Sequence, residues 1–277
     1  LLRISPRQLD RRLQAHKRKL KKRLYGRTKP GTLLKHQIPI RTEHWDVTEP
    51  GSVEIDLVSH SGSRADGTFI WSLNLTDIYT GWVETRAVMG KGEGGIVTAL
   101  DEMRAYLPFP LRAIDSDNGG EFINDQLWRY CRRNQLQFTR GRPYKKDDNA
   151  HVEQKNWTHV RKLTGWERYD SSRALKAMND FYRNHWPTMM NLFQPSVKLI
   201  RKKRVGSQLR RQYDAAQTPL DRLVQSSQGK GSHAKTLHEL RQRTDPFELA
   251  ASIESELRHI WDCANHIQCL RVKMKRG

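Results

Sequence analysis

Hydrophobic residues follow two different spacings along the centre of the chain, and their order predicts an α/β fold. Short apolar runs, which are typical of strands, occupy residues 53–58, 69–75, 82–88, 111–114 and 137–141. Apolar residues three and four positions apart, which are typical of helices, occupy residues 95–107, 124–136 and 150–163. Short connections join the first three strands, so they predict an antiparallel meander. The full order predicts a mixed five-stranded sheet with helices on both faces, over residues 50–195.

The segments before this core are basic and differ from it in pattern. Ser5, followed by Pro6 and with Gln8 at the third helical position, predicts the start of a helix that leucines at helical spacing continue to about residue 25. We expect the helix over 1–25 to be the end of a truncated helix-turn-helix domain, and the alternative is an ordinary basic amphipathic helix. Residues 26–49 contain prolines and glycines without any period, which predicts a basic linker.

The segments after the core alternate between helical and extended patterns. Residues 171–194 predict one long helix, and the basic segment 196–225 predicts extended chain that turns at Gly206-Ser207 into a hairpin. Residues 226–277 predict a flexible Ser/Gly/Gln linker followed by helices. The last helix carries an apolar stripe that needs a partner surface, either in an oligomer or on the same chain. The stripe consists of Phe247, Ala250, Ile253, Leu257, Ile260 and Trp261.

Charge separates the flanks from the centre. The chain of 277 residues has a formal net charge of +20. Residues 1–42 hold 14 Lys/Arg against one acid, and residues 196–213 hold seven against none, whereas residues 43–195 hold 19 against 21 acids. A nearly neutral core between two basic segments indicates a polyanionic partner, and nucleic acid is the one we expect. The alternative is that the basic runs are simply solvated surface.

The remaining composition restricts the class of protein. Three cysteines exclude a disulfide scaffold and indicate an intracellular protein, and their spacing from His259 and His266 fits no familiar zinc pattern. No run of apolar residues is long enough for a membrane span. The chain begins at Leu1 without an initiator Met, so we expect it to be a fragment whose upstream part is missing.

Three carboxylates in the neutral core are the candidate catalytic and metal-binding residues. Asp56 lies in the first strand, Asp117 follows the fourth strand, and Glu153 lies in a helix, with 35 residues between it and Asp117. The predicted topology places the ends of the first and fourth strands side by side, where the helix can complete a site. Two divalent cations about 3.5–4 Å apart need such a set of bridging and flanking carboxylates. Oxygen ligands favour Mg²⁺ or Mn²⁺. Taken singly, each acid also fits a structural role, as a strand-edge charge, a turn former or a solvated helix residue.

The residues around these acids resemble the catalytic core of the retroviral-integrase superfamily. The resemblance rests on Asp56, on Asp117-Asn118-Gly119 and on the run from Asn149 to Gln154, and it covers about residues 50–195. It is closest to bacterial insertion-sequence transposases, the D,D-35-E recombinases with an RNase H-like fold. Asp117 rather than Asp115 is matched to the second acid, because the family places that acid directly before Asn-Gly. The segment 142–149 is similar to the mobile active-site loop of these enzymes.

The resemblance implies an activity, a cofactor and partners. It implies a transposase that cleaves DNA at transposon ends and transfers the strand into target DNA, with two Mg²⁺ or Mn²⁺ ions held by Asp56, Asp117 and Glu153. Double-stranded DNA is the implied substrate. A dimer or tetramer is implied because two ends must be joined together. The implied location is the bacterial cytoplasm, at the nucleoid.

Cations and one amide in and around the core are candidate DNA contacts. Asn149, one helical turn before Glu153, would orient a water or a phosphate, or would simply cap the helix. The full set of candidate DNA-binding residues is Arg11, Arg12, Lys19, Lys22, Arg27, Lys29, Lys35, Lys145, Lys146, Asn149, Lys155, Lys202, Lys203 and Arg204. Two rival functions stay open at this point. One is an RNase H-like nuclease that does not join strands, and the other is a domesticated, non-catalytic DNA-binding regulator.

Overall fold

The computed structural model describes residues 5, 7, 8, 11–13, 38–40, 47–117, 119, 122, 124–141, 150–205 and 208–265. Its strands are β1 Ser52–Ser59, β2 Ile70–Asp77, β3 Val83–Met89, β4 Ala113–Ser116, β5 Gln137–Arg140, β6 Leu199–Val205 and β7 Gln208–Tyr213. Its α-helices are α1 Glu93–Tyr106, α2 Asp125–Arg133, α3 Ala150–Lys155, α4 Lys162–Thr164, α5 Ser172–Arg183, α6 His185–Thr188, α7 Pro219–Gln225, α8 Ser232–Arg243 and α9 Pro246–Asp262. Two π-helical segments, Asn156–Arg161 and Met189–Phe193, continue α3 and α6.

The central sheet has five strands in the order β3-β2-β1-β4-β5. Strands β1, β2 and β3 are antiparallel, and β4 and β5 run parallel to β1. The predicted fold class, an α/β core of the RNase H-like type with a mixed five-stranded sheet, is confirmed by this topology. Because β1 and β4 are parallel neighbours, their carboxyl ends lie at the same edge of the sheet.

The two faces of the sheet differ in chemistry. Val53 and Ile55 of β1 point to one face, where they pack with side chains of α1 and α2 in the main hydrophobic core. Successive residues of a strand point to opposite faces, so Glu54 and Asp56 point to the other face. Asn74 is aligned with Asp56 there. The helix that begins with α3 covers this polar face and places Asn156 against Asp56.

Strand β3 lies at an edge of the sheet, and two asparagine side chains bind its outer backbone groups. Asn191 accepts a hydrogen bond from the Val83 amide and donates to the Val83 carbonyl, both at 2.9 Å. Asn179 makes the same pair of contacts with Ala87, also at 2.9 Å. An open edge strand is a template for pairing with another chain. These amides replace the missing neighbour strand.

Several boundaries differ from the sequence prediction. The long helix predicted over 171–194 ends at Arg183, because Asn184 leaves helical geometry and Pro187 lacks the N–H that a continuous helix needs. The predicted strand 111–114 begins two residues late, since the Arg112 and Ala113 amides instead donate to the Gly51 carbonyl. The helix predicted over 150–163 is present but is π-helical over its middle third.

The C-terminal helices pack against the core. Residues 226–231 form hydrogen-bonded turns rather than a flexible linker. Helix α8 contributes Ala234 to the main core, and α9 places Ile253, Leu257 and Ile260 against α5. Ile253, Leu257 and Ile260 of the apolar stripe therefore pack on this same chain, whereas Phe247 and Trp261 are 84% and 45% exposed. Among the described residues, no helix is both long and apolar enough to cross a membrane.

Little of the N-terminal region is described, but two of its features are clear. The Ser5 hydroxyl accepts from the Gln8 amide at 3.3 Å while the Gln8 side chain accepts from the Ser5 amide at 3.1 Å, which is the predicted capping box. Residues 38–40, predicted as linker, lie beside β5. Ile38 is buried, and Ile40 forms a parallel bridge with Arg140.

Candidate active site

Asp56 lies in the middle of β1, half-buried beneath the helix that begins with α3. One carboxylate oxygen accepts from the Leu57 amide at 2.8 Å. The other accepts from the Asn156 side-chain amide at 2.6 Å. Both oxygens are therefore oriented, one by the strand and one by the helix.

Asn156 is itself held by a chain of side-chain hydrogen bonds across the sheet. Its oxygen accepts from Asn74 at 3.0 Å, and the Asn74 oxygen accepts from the Thr85 hydroxyl at 3.1 Å. This series of hydrogen bonds crosses the sheet along one row of aligned residues, because Asp56 is aligned with Asn74 and Asn74 with Thr85. Asn74 and Thr85 are buried. Buried amides that satisfy one another in this way have one preferred orientation, so the Asp56 carboxylate is fixed from three strands and one helix.

Asp117 follows β4 directly and is half-buried. Its carboxylate accepts from the Gly119 amide at 2.8 Å, which forms a turn at the end of the strand. Asp115, the alternative second acid, is fully buried and accepts from the Thr139 hydroxyl of β5 at 2.5 Å. Asp115 therefore lies in the interior of the sheet, whereas Asp117 lies just beyond the carboxyl end of β4.

Glu153 lies in the first turn of α3 and is exposed. The position of this helix is set from β1, because the buried Glu54 carboxylate accepts from the Val152 amide at 3.0 Å. A carboxylate on the first amides of a helix stabilises its N-terminus. Glu54 and Asp56 point to the same face of β1, so one strand both supplies an acid and positions the helix that supplies another.

The helix changes to π geometry immediately after α3. The π-helical segment begins at Asn156, the residue that binds Asp56, and includes the buried His159. Such segments are rare and are found often at functional sites. Asn156 contacts the sheet from the start of this segment, whereas Glu153, three residues earlier, is exposed.

Burial and the nearby carboxylates change the pKa of Asp56. Burial is the largest cause that raises the pKa of Asp56, and the nearby Asp117 carboxylate raises it further, to about 7. Glu153 contributes in the same direction, and the hydrogen bonds from Leu57 and Asn156 oppose the shift. Like charges brought together in this way favour either a proton or a cation.

The candidate ligand atoms of this site are of the type that hard divalent cations prefer. Asp56, Asp117 and Glu153 offer only carboxylate oxygens, which suit Mg²⁺ and Mn²⁺ and not softer metals. Within the described part of the chain, however, no three acidic, histidine or cysteine side chains lie close enough together to form a ready metal cage. The exposed Glu153 side chain would have to turn toward the two aspartates to complete one.

The candidate DNA contacts are placed unequally. Arg11, Arg12, Lys203 and Arg204 are exposed. Lys155 is half-buried, and burial lowers its pKa to about 8, while its contact with DNA stays a prediction. The backbone of Lys202 lies in β6. The other candidates lie outside the described residues, namely Lys19, Lys22, Arg27, Lys29, Lys35, Lys145, Lys146 and Asn149.

Three residues of the site were missed by the sequence analysis. Glu54 could have been found from its spacing, because it is two residues from Asp56 and so shares its face. Asn74 and Asn156 carry no such signal. They meet Asp56 only through strand register and helix docking, which the linear pattern does not specify.

No family model matches this chain. The uncharacterized protein y4rM of Sinorhizobium fredii (strain NBRC 101917 / NGR234) is 39% identical over 190 residues, which are 68% of this chain and 54% of that protein. The chain thus spans about half the length of this curated relative.

Solved structures with some likeness include two retroviral integrase cores. The HTLV-2 integrase catalytic core domain in complex with magnesium, in its dimeric form, has a TM-score of 0.39 at 16% identity, over 53% of this chain and 91% of that one. The catalytic core domain of BIV integrase has a TM-score of 0.40 at 14% identity, over 65% and 97% respectively. The strand order of this chain is itself that of an RNase H-like core.

Proposed function

We propose that the protein is a metal-dependent transposase that cleaves DNA at transposon ends and joins the ends to target DNA. The observation that carries this proposal is that Asp56 in β1 and Asp117 after β4 belong to parallel neighbouring strands, and that Asn156 binds Asp56 from the helix that bears Glu153. The +20 net charge supports a DNA substrate. The resemblance of the flanking residues to insertion-sequence transposases supports strand joining.

The three carboxylates have distinct roles in this proposal. Two Mg²⁺ or Mn²⁺ ions would be held here, with Asp56 serving both ions, Asp117 one and Glu153 the other. When bound, the metals neutralise phosphate charge and favour deprotonation of the attacking oxygen. Asp56 must present both of its oxygens for this role. Leu57 and Asn156 already orient one oxygen each.

The reaction consists of two phosphoryl transfers at the same site. In the first, water attacks the phosphodiester at the transposon end, the P–O3′ bond breaks, and the leaving oxygen takes a proton to become a 3′-hydroxyl. In the second, that hydroxyl attacks a target phosphodiester in line and displaces a target 3′-oxygen. Neither step needs a covalent enzyme intermediate, so positioning is the main task of the protein.

Substitution of single acids tests the proposed site. Asp56→Asn and Glu153→Gln each remove one metal-binding charge, so Mg²⁺-dependent cleavage of a labelled end duplex should fall at least a hundredfold while duplex binding persists. Glu167→Gln, a neutral substitution of an exposed acid after α4, is the matched control and should keep wild-type activity. Equal cleavage by wild type and both variants would contradict the site.

Strand joining needs a separate assay, because a nuclease would share the first step. A labelled duplex with a preformed 3′-hydroxyl end should be inserted into plasmid DNA by the wild-type protein and not by Asp56→Asn. Cleavage without insertion would favour the RNase H-like nuclease. DNA binding with neither reaction would favour the non-catalytic regulator.

The remaining parts of the proposal concern assembly and location. Two transposon ends must be held together for joining, so we propose a homo-oligomer, a dimer or tetramer, on double-stranded DNA. A bacterial transposase would work at the nucleoid in the cytoplasm. Sedimentation of the protein with and without end duplex would measure the assembly directly.

A further inference from the structure

Strands β6 and β7 form a two-stranded ribbon that stands apart from the central sheet. Within the described part of the chain, the two strands pair only with each other. Every side chain described along the ribbon is exposed, on both of its faces. A lone two-stranded hairpin is only marginally stable in water. Because these side chains are exposed, both faces of the ribbon are available to a partner.

The charge of the ribbon opposes its own stability. Between Leu199 and Tyr213 there are six Lys/Arg residues and no acid. Lys203 is aligned with Arg210, and the backbone register aligns Lys202 with Arg211. Like charges directly opposite each other destabilise a strand pair. A polyanion bound between or beside these cations would reverse that effect.

The cations are divided between the two faces. Because side chains alternate along a strand, Arg201 shares one face with Lys203 and its partner Arg210. Arg204 and Arg211 belong to the opposite face. A flat anionic surface would meet only one of these sets. A ligand with two anionic walls would meet both.

The base of the ribbon is fixed firmly to the core. The Lys198 ammonium donates to the Ile78 carbonyl at 2.7 Å and to the Tyr79 carbonyl, in the turn between β2 and β3. The buried Arg222 of α7 donates to the Ser196 carbonyl at 2.6 Å and to the Gln217 carbonyl at 3.0 Å, on the two sides of the base. These contacts fix the direction of the ribbon relative to the sheet that carries Asp56.

We propose that the β6–β7 ribbon is a DNA-binding arm that enters the major groove of duplex DNA. Arg201, Lys203 and Arg210 contact the phosphates of one groove wall, and Arg204 and Arg211 contact those of the other. The major groove is about 12 Å wide and admits a two-stranded ribbon, whereas the minor groove is about 6 Å wide. The proposal rests on the proposed function only in naming DNA as the polyanion.

Two double substitutions test the faces separately. Both are made in full-length protein carrying Asp56→Asn, without divalent metal, so that binding is measured and cleavage plays no part. One variant is Lys203→Gln with Arg210→Gln, and the other is Arg204→Gln with Arg211→Gln. Lys235→Gln with Arg243→Gln on α8, two exposed cations, is the charge-matched control. Circular dichroism melts check that each variant remains folded.

The measurement is duplex affinity as a function of salt concentration. Each face variant should reduce the slope of log K against log salt by about 2, because each removes two phosphate contacts, and the control should leave it unchanged. Methylation of guanine N7, which lies in the major groove, should inhibit binding of the parent protein and not of a protein with all four ribbon substitutions.

Four outcomes would overturn the proposal. An unchanged slope in both face variants would exclude the ribbon from binding. A change in one variant alone would mean that the ribbon lies flat on the backbone. Equal losses with single-stranded DNA, or interference at adenine N3 of the minor groove instead, would exclude major-groove entry. None of these outcomes depends on cleavage, so this proposal and the catalytic one can fail separately.

Discussion

Asp56 is a charged side chain at a strand position whose surroundings are largely buried, and its contacts explain how it is tolerated. Burial and the neighbouring Asp117 raise its pKa to about 7, while the bonds from Leu57 and Asn156 lower it. Near neutral pH the Asp56 carboxyl group therefore exchanges between its protonated form and the ionised form that can bind a cation. A group in this state binds a metal with little competition from protons above its pKa.

Substitution of Asn156 should raise the pKa of Asp56 and so shift the pH dependence of cleavage. Asn156→Ala removes a donor to the carboxylate, so the pKa of Asp56 should rise and the acid limb of the cleavage profile should move to higher pH. The measurement is kcat/KM for an end duplex across pH 5.5 to 9, for the wild type and the variant. Gln126→Ala, which truncates an exposed amide on α2, is the control. A loss of rate without a shift in pH would mean that Asn156 does not act through Asp56.

The edge strand β3 shows how an element is completed by side chains rather than by another strand. Asn191 is fully buried and satisfies both backbone groups of Val83. Asn179 does the same for Ala87. These bonds join β3 to α5 and to the π-helical segment after α6, and so they also hold those helices on the sheet.

Loss of one of these asparagines should be costly. Asn191→Ala leaves the Val83 amide and carbonyl buried without their partner, so the free energy of unfolding should fall by about 2–4 kcal/mol. Urea denaturation followed by circular dichroism measures this. Asn184→Ala, at an exposed helix end, should cost less than about 1 kcal/mol. Equal stability of the two variants would show that water replaces the Asn191 contacts.

For the molecule as a whole, buried histidines link stability to pH. His60 is fully buried at the end of β1, and its Nε2 lies 2.7 Å from the Ser72 hydroxyl, which in turn lies 3.0 Å from the Tyr182 hydroxyl. Burial lowers the pKa of His60 to about 3, and the nearby Arg161 contributes to this shift. Burial also lowers the pKa of His159, to which Lys155 adds.

Acid should therefore destabilise the fold through His60. Below about pH 6.5 the unfolded chain binds a proton at this residue and the folded chain does not. The free energy of unfolding should therefore decrease as the pH is lowered from about 6.5 to about 3, by up to roughly 5 kcal/mol in total. His60→Gln should flatten this dependence. Denaturation curves at pH 7.5, 6.0 and 5.0 measure the slope, with exposed His238→Gln as the control. Parallel slopes for the wild type and His60→Gln would contradict the assignment.

Much of the fold could be predicted because alternation and helical spacing are local properties. The five strands and the helices between them were found in the right order, and the Ser5 capping box and the β6–β7 hairpin were also predicted correctly. The break at Asn184 and the bridge of Ile40 to Arg140 were missed, since both depend on packing between distant segments. The acids were recognised by their spacing and neighbours, and their catalytic role stays a prediction.

The sequence by itself determined the fold class, the neutral core between basic segments and the three acids, because hydrophobic period, charge and motif spacing are all written along the chain. Only the tertiary structure decided which groups hold Asp56, how Glu54 positions the helix of Glu153, and where the last helix packs. It also revealed cations on both faces of a fixed ribbon. These features arise from strand register and helix docking, which bring together residues such as Asp56 and Asn156 that lie 100 positions apart.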